Sequence, residues 1–398
     1  MDLATLERFA DLVVRFGANV QPGQVVSVGT EIGKEEVTRA LVASAYRHGA
    51  KFVDVSWFDP HSKRARVLHA DPGTLDWVPP WYGERMLALG EVRAARIGLT
   101  GPVEPELFDD LDPALVGRDQ LPFVREIGQV VNERTTNWTA APAPTAGWAE
   151  LVHPELEPAE ALERLWRDIL HVCRLDEPDP IAAWEARMDV LDTAAERLGE
   201  RRFDALHFEG PGTDLRVGLL PSSRWISARF STAEGLRHQA NLPSEEIFAT
   251  PDPARADGVV RATKPLVAAG ATIEGLEVEF ADGRVSRIDA ERGSGTLRSL
   301  AERDEGAARL GEVALVDGDG RIGPIGRPFY DTLLDENAAS HVALGSAYAF
   351  AVDESDEPRI NRSAIHVDFM IGSNEVDVTG LTDSGERVPV LRGGAWQL

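Results

Sequence analysis

Apolar positions in the first half of the chain alternate between helical and strand spacing. From Leu3 to Phe16 they recur every three or four residues, which predicts an amphipathic helix. Short apolar runs at 25–28 and 52–57 predict strands, with a helix between them over 35–48. The alternation continues through a helix over 81–89, a strand over 95–99 and a helix over 122–132. Such a pattern predicts an α/β layer with a largely parallel sheet.

The second half of the chain is strand-rich. Polarity alternates over 259–263, 276–280 and 285–288, and the turn Ala281-Asp282-Gly283-Arg284 predicts a hairpin between the last two runs. A second hairpin is predicted at 382–387. This pattern predicts a barrel-like α+β arrangement in which the sheet curls.

The boundary between the two halves is predicted near residue 200. A chain of 398 residues is long for one hydrophobic core. A Pro- and acid-rich stretch at 176–180 and a helical run over 181–198 precede the first apolar strand of the second half, at 204–208. We therefore predict an N-terminal α/β domain over 1–200 and a C-terminal domain over 201–398.

Net charge and cysteine content limit the kinds of partner that the chain can bind and the cellular compartment that suits it. Lys and Arg number 41 against 66 Asp and Glu, and the net charge of -25 argues against binding to nucleic acid or to anionic membranes. The single Cys173 cannot form a disulfide within the chain. The first residues do not show the basic and apolar pattern of a secretion signal, and no run reaches the ~20 apolar residues of a membrane span. These features predict a cytoplasmic protein.

The candidate chemistry lies between residues 310 and 372. Three apolar segments follow one another there: a strand at 311–316, a helix-like run at 335–348 and a second strand at 365–372. Buried ionisable groups are costly unless they are paired or bound to metal. Each segment nevertheless carries groups able to bind a divalent ion, and these are Glu312, His341, Tyr348, His366 and Asp368.

Spacing within the segments favours a site for two ions. His366 and Asp368 project from one face of a strand because residues two apart share a face. On the predicted helix, His341 and Tyr348 lie on one stripe roughly 10 Å apart along the axis. That separation is too long for one ion but suits two ions about 3.5–4 Å apart. Each group alone has a structural explanation, such as a buried His341 or a core Tyr348, and only their convergence favours metal.

Four segments together carry a family resemblance. They are Asn241-Leu242-Pro243-Ser244-Glu245-Glu246-Ile247-Phe248, the strand at 310–316, the run at 334–341 and the strand at 366–372. With these segments the chain resembles the thermophilic metallo-aminopeptidase family of aminopeptidases T and S. The resemblance extends over most of the chain and is weaker from about residue 60 to 150.

The resemblance implies a cocatalytic pair of divalent ions, zinc or cobalt, with manganese or magnesium as alternatives. It adds Glu246 as a metal ligand and makes Tyr348 an active-site residue. The remaining implied ligands are Glu312, His341, His366 and Asp368.

The implied activity is removal of the N-terminal residue from short peptides by metal-activated water, in a homodimer. As a hypothesis, Glu312 moves the proton from water to the leaving amine and Tyr348 either binds metal or donates to the oxyanion. Two other classes stay open at this point: a dinuclear metal phosphoesterase and a metal-binding protein without catalytic activity.

Overall fold

The computed structural model describes residues 1–119 and 121–398. The chain forms two compact units that interleave along the sequence. The first unit contains Met1–Ala186 and Ala228–Ser244, and the second contains Arg187–Ser227 and Glu245–Leu398. The domain boundary that we predicted near residue 200 stays a prediction.

The first unit alternates helices and strands. Its helices are α1 Leu3–Leu12, α2 Glu35–Arg47, α3 Pro60–His69, α4 Pro80–Glu91, α5 Pro113–Arg118, α6 Glu126–Asn132, α7 Ala146–Val152, α8 Pro158–Val172 and the first part of α9 Pro180–Arg201. Its strands are β1 Val25–Glu31, β2 Phe52–Phe58, β3 Ala95–Thr100 and β4 Asn137–Pro142.

The sheet of the first unit is parallel, as predicted. Its strand order is β2-β1-β3-β4, and every neighbouring pair runs parallel. Helix α1 begins where the carboxylate of Asp2 accepts a hydrogen bond from the backbone N–H of Thr5, 2.9 Å away. The helix buries Leu6, Phe9 and Leu12 on one face, which is the spacing read from the sequence.

The second unit is built mostly of strands, again as predicted. The strands that follow α9 are β5 Ala205–Gly210, β6 Thr213–Leu219, β7 Ile226–Ser227, β8 Arg229–Ser231, β9 Arg237–Gln239, β10 Glu246–Ala249, β11 Pro251–Arg261, β12 Leu266–Ala268, β13 Ala271–Ile273, β14 Glu277–Ala281, β15 Arg284–Asp289, β16 Leu310–Val316, β17 His341–Gly345, β18 His366–Met370, β19 Asp377–Leu381, β20 Arg387–Arg392 and β21 Ala395–Trp396. The helices are α10 Ser294–Ala301 and α11 Thr332–Glu336. Strands β8 and β9 pair with each other and belong to the first unit.

Two antiparallel sheets organise the second unit. One has the strand order β15-β14-β11-β6-β5-β19-β20-β21, and the other has the order β18-β17-β16-β10-β7. Both predicted hairpins are present, because β14 pairs with β15 and β19 pairs with β20 in antiparallel register. The barrel-like curl of the sheet stays a prediction.

The helix predicted over 335–348 is wrong. Helix α11 ends at Glu336, and the chain then turns into strand β17, which begins at His341. Strand β17 is buried and pairs with β16 on one side and β18 on the other. A short apolar run flanked by Ala and Leu does not distinguish a buried strand from a buried helix, so only the sheet on both sides decides the conformation.

Among the described residues, no helix combines the length and apolar character needed to cross a membrane.

Candidate metal centre

Strand register places the predicted ligands on one face of the five-stranded sheet. Glu312 of β16 lies opposite Ala343 of β17, which in turn lies opposite Asp368 of β18. His341 precedes Ala343 by two residues, and His366 precedes Asp368 by two. Because side chains two apart on a strand share a face, all these side chains project from the same side.

Glu246 joins the same face from strand β10. It pairs with Val316, which is four residues beyond Glu312 on β16 and therefore projects from the same side as Glu312. Glu246, Glu312, His341 and Asp368 are buried, whereas 29% of the His366 side chain is exposed. The cluster is therefore shielded from solvent near Glu246 and accessible to solvent beside His366.

His341 is oriented by its own backbone. Its Nδ1 lies 3.1 Å from the carbonyl oxygen of Ala339, an acceptor that fixes the proton on this nitrogen. Its Nε2 lies 3.1 Å from Oε2 of Glu246 and 3.6 Å from Oε1 of Glu312. Oε2 of Glu246 is buried and has no hydrogen-bond partner other than this imidazole. In neutral His341, Nε2 would therefore point a lone pair at carboxylate oxygens.

His366 repeats this arrangement on the neighbouring strand. Its Nδ1 lies 2.8 Å from the carbonyl oxygen of Ser346. Its Nε2 lies 3.3 Å from Oδ1 of Asp368 and 3.5 Å from Oε2 of Glu312. The two oxygens of Glu312 are thus divided, with Oε1 facing one imidazole and Oε2 facing the other.

Without metal, this cluster binds protons. Burial opposes protonation of His366, but Asp368 and Glu312 outweigh it and raise its pKa to about 10. Burial also opposes protonation of His341, but Glu246 and Glu312 raise its pKa well above the ordinary value. Burial raises the pKa of Glu312. Protons thus take the place between imidazoles and carboxylates that a cation would otherwise fill.

The donor atoms fit divalent metal. Glu246, Glu312 and His341 each offer one ligand atom, and these atoms lie within 4.8 Å of one another. Glu312, His366 and Asp368 form a second such group. Imidazole nitrogens and carboxylate oxygens are the usual ligands of catalytic zinc and related ions. An ion bound here would give the buried Oε2 of Glu246 a partner besides His341.

Tyr348 lies next to this cluster but not on a helical stripe with His341. It follows strand β17 and comes just before a short 3₁₀ turn at Ala349–Ala351. Its ring centroid is 5.7 Å from that of His366, 5.3 Å from that of Phe248 and 5.2 Å from that of Phe350. Burial, together with Glu312, raises the pKa of the phenol well above the usual value, so the phenol keeps its proton.

Sequence reasoning missed one acidic residue of the cluster, Glu336. It lies at the end of α11 and is buried, and it offers a ligand atom within 4.8 Å of those of His341 and Asp368. Burial raises its pKa well above the ordinary value, and Glu246 and Asp368 raise it further. The signal in the sequence was an acidic residue close behind Leu333 and Leu334, in the segment that carries the family resemblance.

The buried carboxylates and imidazoles on a common sheet face form groups that could hold a metal ion, in a chain with an N-terminal parallel sheet and a strand-rich C-terminal region. Its sequence matches that of the thermophilic metalloprotease family (M29) over residues 3–396. The chain belongs to this family, which uses divalent metal.

Curated relatives match along the whole chain. Aminopeptidase T of Thermus aquaticus is 42% identical over 98% of this chain and 98% of its own length. Aminopeptidase PepS of Streptococcus thermophilus is 38% identical over 98% of this chain and 97% of its own. The family resemblance read from the sequence is confirmed, and so is the predicted enzyme class, a metallo-aminopeptidase.

Solved structures agree with the fold. Wild-type AmpT from Thermus thermophilus superposes with a TM-score of 0.88 at 41% identity, covering 99% of each chain. A 2,5-dihydroxypyridine dioxygenase from Pseudomonas putida superposes with a TM-score of 0.56 at 14% identity, covering 100% of this chain and 98% of that one. The second similarity concerns the fold alone.

Proposed function

We propose that the chain removes N-terminal residues from short peptides with two divalent metal ions held by Glu246, Glu312, His341, His366 and Asp368. The observation that carries this proposal is the matched orientation of the two histidines. Each gives Nδ1 to a backbone carbonyl and turns Nε2 toward carboxylates, which is how histidines that bind metal are usually held. Zinc or cobalt suits these donors, and manganese or magnesium is the alternative.

Glu312 lies between the two groups of proposed ligands, because its Oε1 faces His341 and its Oε2 faces His366. Glu246 and His341 would hold one ion, and His366 and Asp368 would hold the other, with Glu312 close to both. Glu312 would also move the proton of the attacking water to the leaving amine.

We assign separate roles in the reaction to the metal ions and to the side chains of the protein. When bound, two divalent ions lower the pKa of a water molecule and polarise the scissile carbonyl. Tyr348 would donate a hydrogen bond to the oxyanion that forms on this carbonyl. Its raised pKa supports the donor role, and the rings of Phe248 and Phe350 hold it in place.

The names of the relatives support the substrate class, because Aminopeptidase T and Aminopeptidase PepS both denote enzymes that act at peptide N-termini. We further propose a cytoplasmic homodimer that encloses its active sites and so admits short peptides only. Sedimentation in the ultracentrifuge tests the dimer, and a series of peptides of increasing length tests the size limit.

The experiment that tests the activity uses enzyme stripped by a chelator and then given zinc, cobalt or manganese. Cleavage of a leucyl chromogenic amide is measured beside that of its N-acetylated form and of a chromogenic phosphate ester. Cleavage that returns with metal and only for the free amine supports the proposal. Turnover of the phosphate ester alone, or no turnover with bound metal, overturns it.

A further inference from the structure

Arg187 is a buried cation outside the two groups of proposed metal ligands. It lies on helix α9, and its guanidinium contacts two carboxylates that are also buried, those of Glu245 and Asp317. Its Nε donates to Oε2 of Glu245 at 2.5 Å. Its Nη2 and Nη1 donate to the two oxygens of Asp317 at 2.7 and 3.1 Å, which is the paired geometry of a guanidinium and a carboxylate. One side chain therefore joins two acidic residues that are distant in the sequence.

The two carboxylates flank the strand pair that carries Glu246. Strands β10 and β16 are antiparallel, and Glu246 pairs with Val316 at the end of their ladder. Glu245 immediately precedes Glu246, and Asp317 immediately follows Val316. Both chain segments therefore leave the ladder at the same end, and Arg187 joins them there. A cation in this position opposes any slippage of β10 along β16.

Further hydrogen bonds fix the orientation of both carboxylates. Oδ2 of Asp317 accepts from Nε1 of Trp396 at 2.5 Å, and Oδ1 accepts from the backbone N–H of Asp319 at 3.0 Å. Oε1 of Glu245 accepts from the backbone N–H of Arg321 at 3.4 Å. A buried polar network in which every oxygen has a donor holds one geometry. The guanidinium therefore sets the distance between the two chain segments.

The register of β10 against β16 decides whether Glu246 reaches the ion that it would hold with His341. Nε2 of His341 lies 3.1 Å from Oε2 of Glu246. Slippage by one residue would turn Glu246 to the opposite face of the sheet. Metal–ligand distances vary by only about 0.2 Å, so a much smaller shift would also weaken the bond. Fixing register is one of the best supported roles of buried polar and ionic groups.

We propose that Arg187 is a positioning residue of the metal centre, because it fixes the register that brings Glu246 to the ion shared with His341. The effect should fall on one of the two ions. His366 and Asp368, which would hold the other ion, lie on β18, and strands β16 and β17 separate β18 from β10. This inference rests on the proposed function, because it assigns a role within the same two-ion centre.

The test compares Arg187→Lys with wild type. Lysine keeps the positive charge but cannot form the paired contact with a carboxylate, so the chain should fold with a less constrained register. Asp317→Asn keeps the shape of one partner and removes its charge, and it serves as the second variant. Arg197→Lys makes the same exchange at an exposed position of α9 and is the matched control.

Three measurements are made on the chelator-stripped chain and its variants. Calorimetry gives the affinities of the two zinc ions. Absorption spectra of the cobalt-loaded protein report the coordination of each ion. Urea unfolding gives the stability, so that metal binding is compared only under conditions in which every variant is folded.

We expect wild type and Arg197→Lys to bind two ions with equal affinities and equal cobalt spectra. In Arg187→Lys one ion should bind ~10- to 100-fold more weakly, the range seen when groups that support metal ligands are lost, and the other ion should keep its affinity. The cobalt spectrum of the weakened site should change, because Glu246 is displaced from the ion. Asp317→Asn should show the same selective loss, and it carries the test if Arg187→Lys does not fold.

Two results would overturn the inference. Lower stability in urea with unchanged affinity for both ions would show that Arg187 stabilises the fold and does not position Glu246. Equal weakening of both ions would exclude an effect through the register of β10 alone. A wild-type chain that binds two ions but cleaves no free-amine substrate would instead refute the proposed peptidase activity, and the ion affinities would still decide the role of Arg187.

Discussion

Metal binding should release protons, and the number released depends on how many imidazoles of the cluster are protonated in the metal-free chain. In the metal-free chain His366 has a pKa of about 10, because Asp368 and Glu312 outweigh burial. The pKa of His341 is also well above its ordinary value, because Glu246 and Glu312 outweigh burial. Both imidazoles are therefore protonated near neutral pH. A metal ion binds only the unprotonated nitrogen, so filling both sites displaces at least two protons per chain.

Metal affinity should increase with pH. A raised pKa means that protons compete with metal, so affinity rises as pH rises. Protons compete with metal for His366 at every pH below its pKa of about 10 in the metal-free chain, and the competition ends above that value. Below that pKa each displaced proton contributes about a tenfold change in the binding constant per pH unit. With two protons displaced, the product of the two binding constants should rise roughly 100-fold per pH unit.

Calorimetry measures this release. Zinc is titrated into the stripped chain at about pH 7.5 in buffers of different ionisation enthalpy, and the slope of the observed enthalpy against buffer enthalpy counts the protons. His61→Gln removes an exposed histidine that pairs with Glu104 outside the cluster, so it should leave the slope unchanged. A slope below one proton per chain in wild type would refute the orientation argued for His341 and His366.

Two further predictions concern the residues around the centre. Tyr348→Phe should keep its full metal content but lower kcat about 100- to 1000-fold, the usual cost of losing an oxyanion donor, and unchanged steady-state kinetics would exclude that role. Arg187→Met should destabilise the chain by about 3–5 kcal/mol in urea unfolding, since it strands two buried carboxylates. Arg187 donates to Glu245 at 2.5 Å and to Asp317 at 2.7 and 3.1 Å. Arg197→Met, on the exposed face of the same helix, should cost less than about 0.5 kcal/mol, and equal losses in both variants would contradict the buried pairing.

The pattern of apolar and polar residues was enough to predict two of the strands that carry the cluster. The apolar run around Glu312 and the spacing of His366 and Asp368 predicted strands, and the structure has β16 and β18 there. The shared face of His366 and Asp368 follows from the two-residue repeat of any strand. These inferences held because they depend on neighbours in the sequence alone.

The segment around His341 is one whose conformation the local sequence pattern predicted wrongly. The sequence predicts a helix there, and with it a separation of roughly 10 Å from Tyr348 that suits two ions. The chain instead leaves α11 at Glu336 and enters β17. In the structure, two ions are suggested instead by the two oxygens of Glu312, which face different imidazoles, and spacing along the chain does not reveal such a contact.

Side-chain chemistry and strand periodicity are local properties, so they were enough to predict the kinds of donor group, and the family resemblance predicted the class of protein. Which of these donor groups lie close together depends on how the strands pair in the folded chain. Glu246, Glu312, His341 and Asp368 come from separate strands, and they share a face only because those strands pair in one register. Glu336 joins them through the turn after α11, held by Asn337. Such contacts depend on burial of distant segments against one another, which one-dimensional pattern does not record.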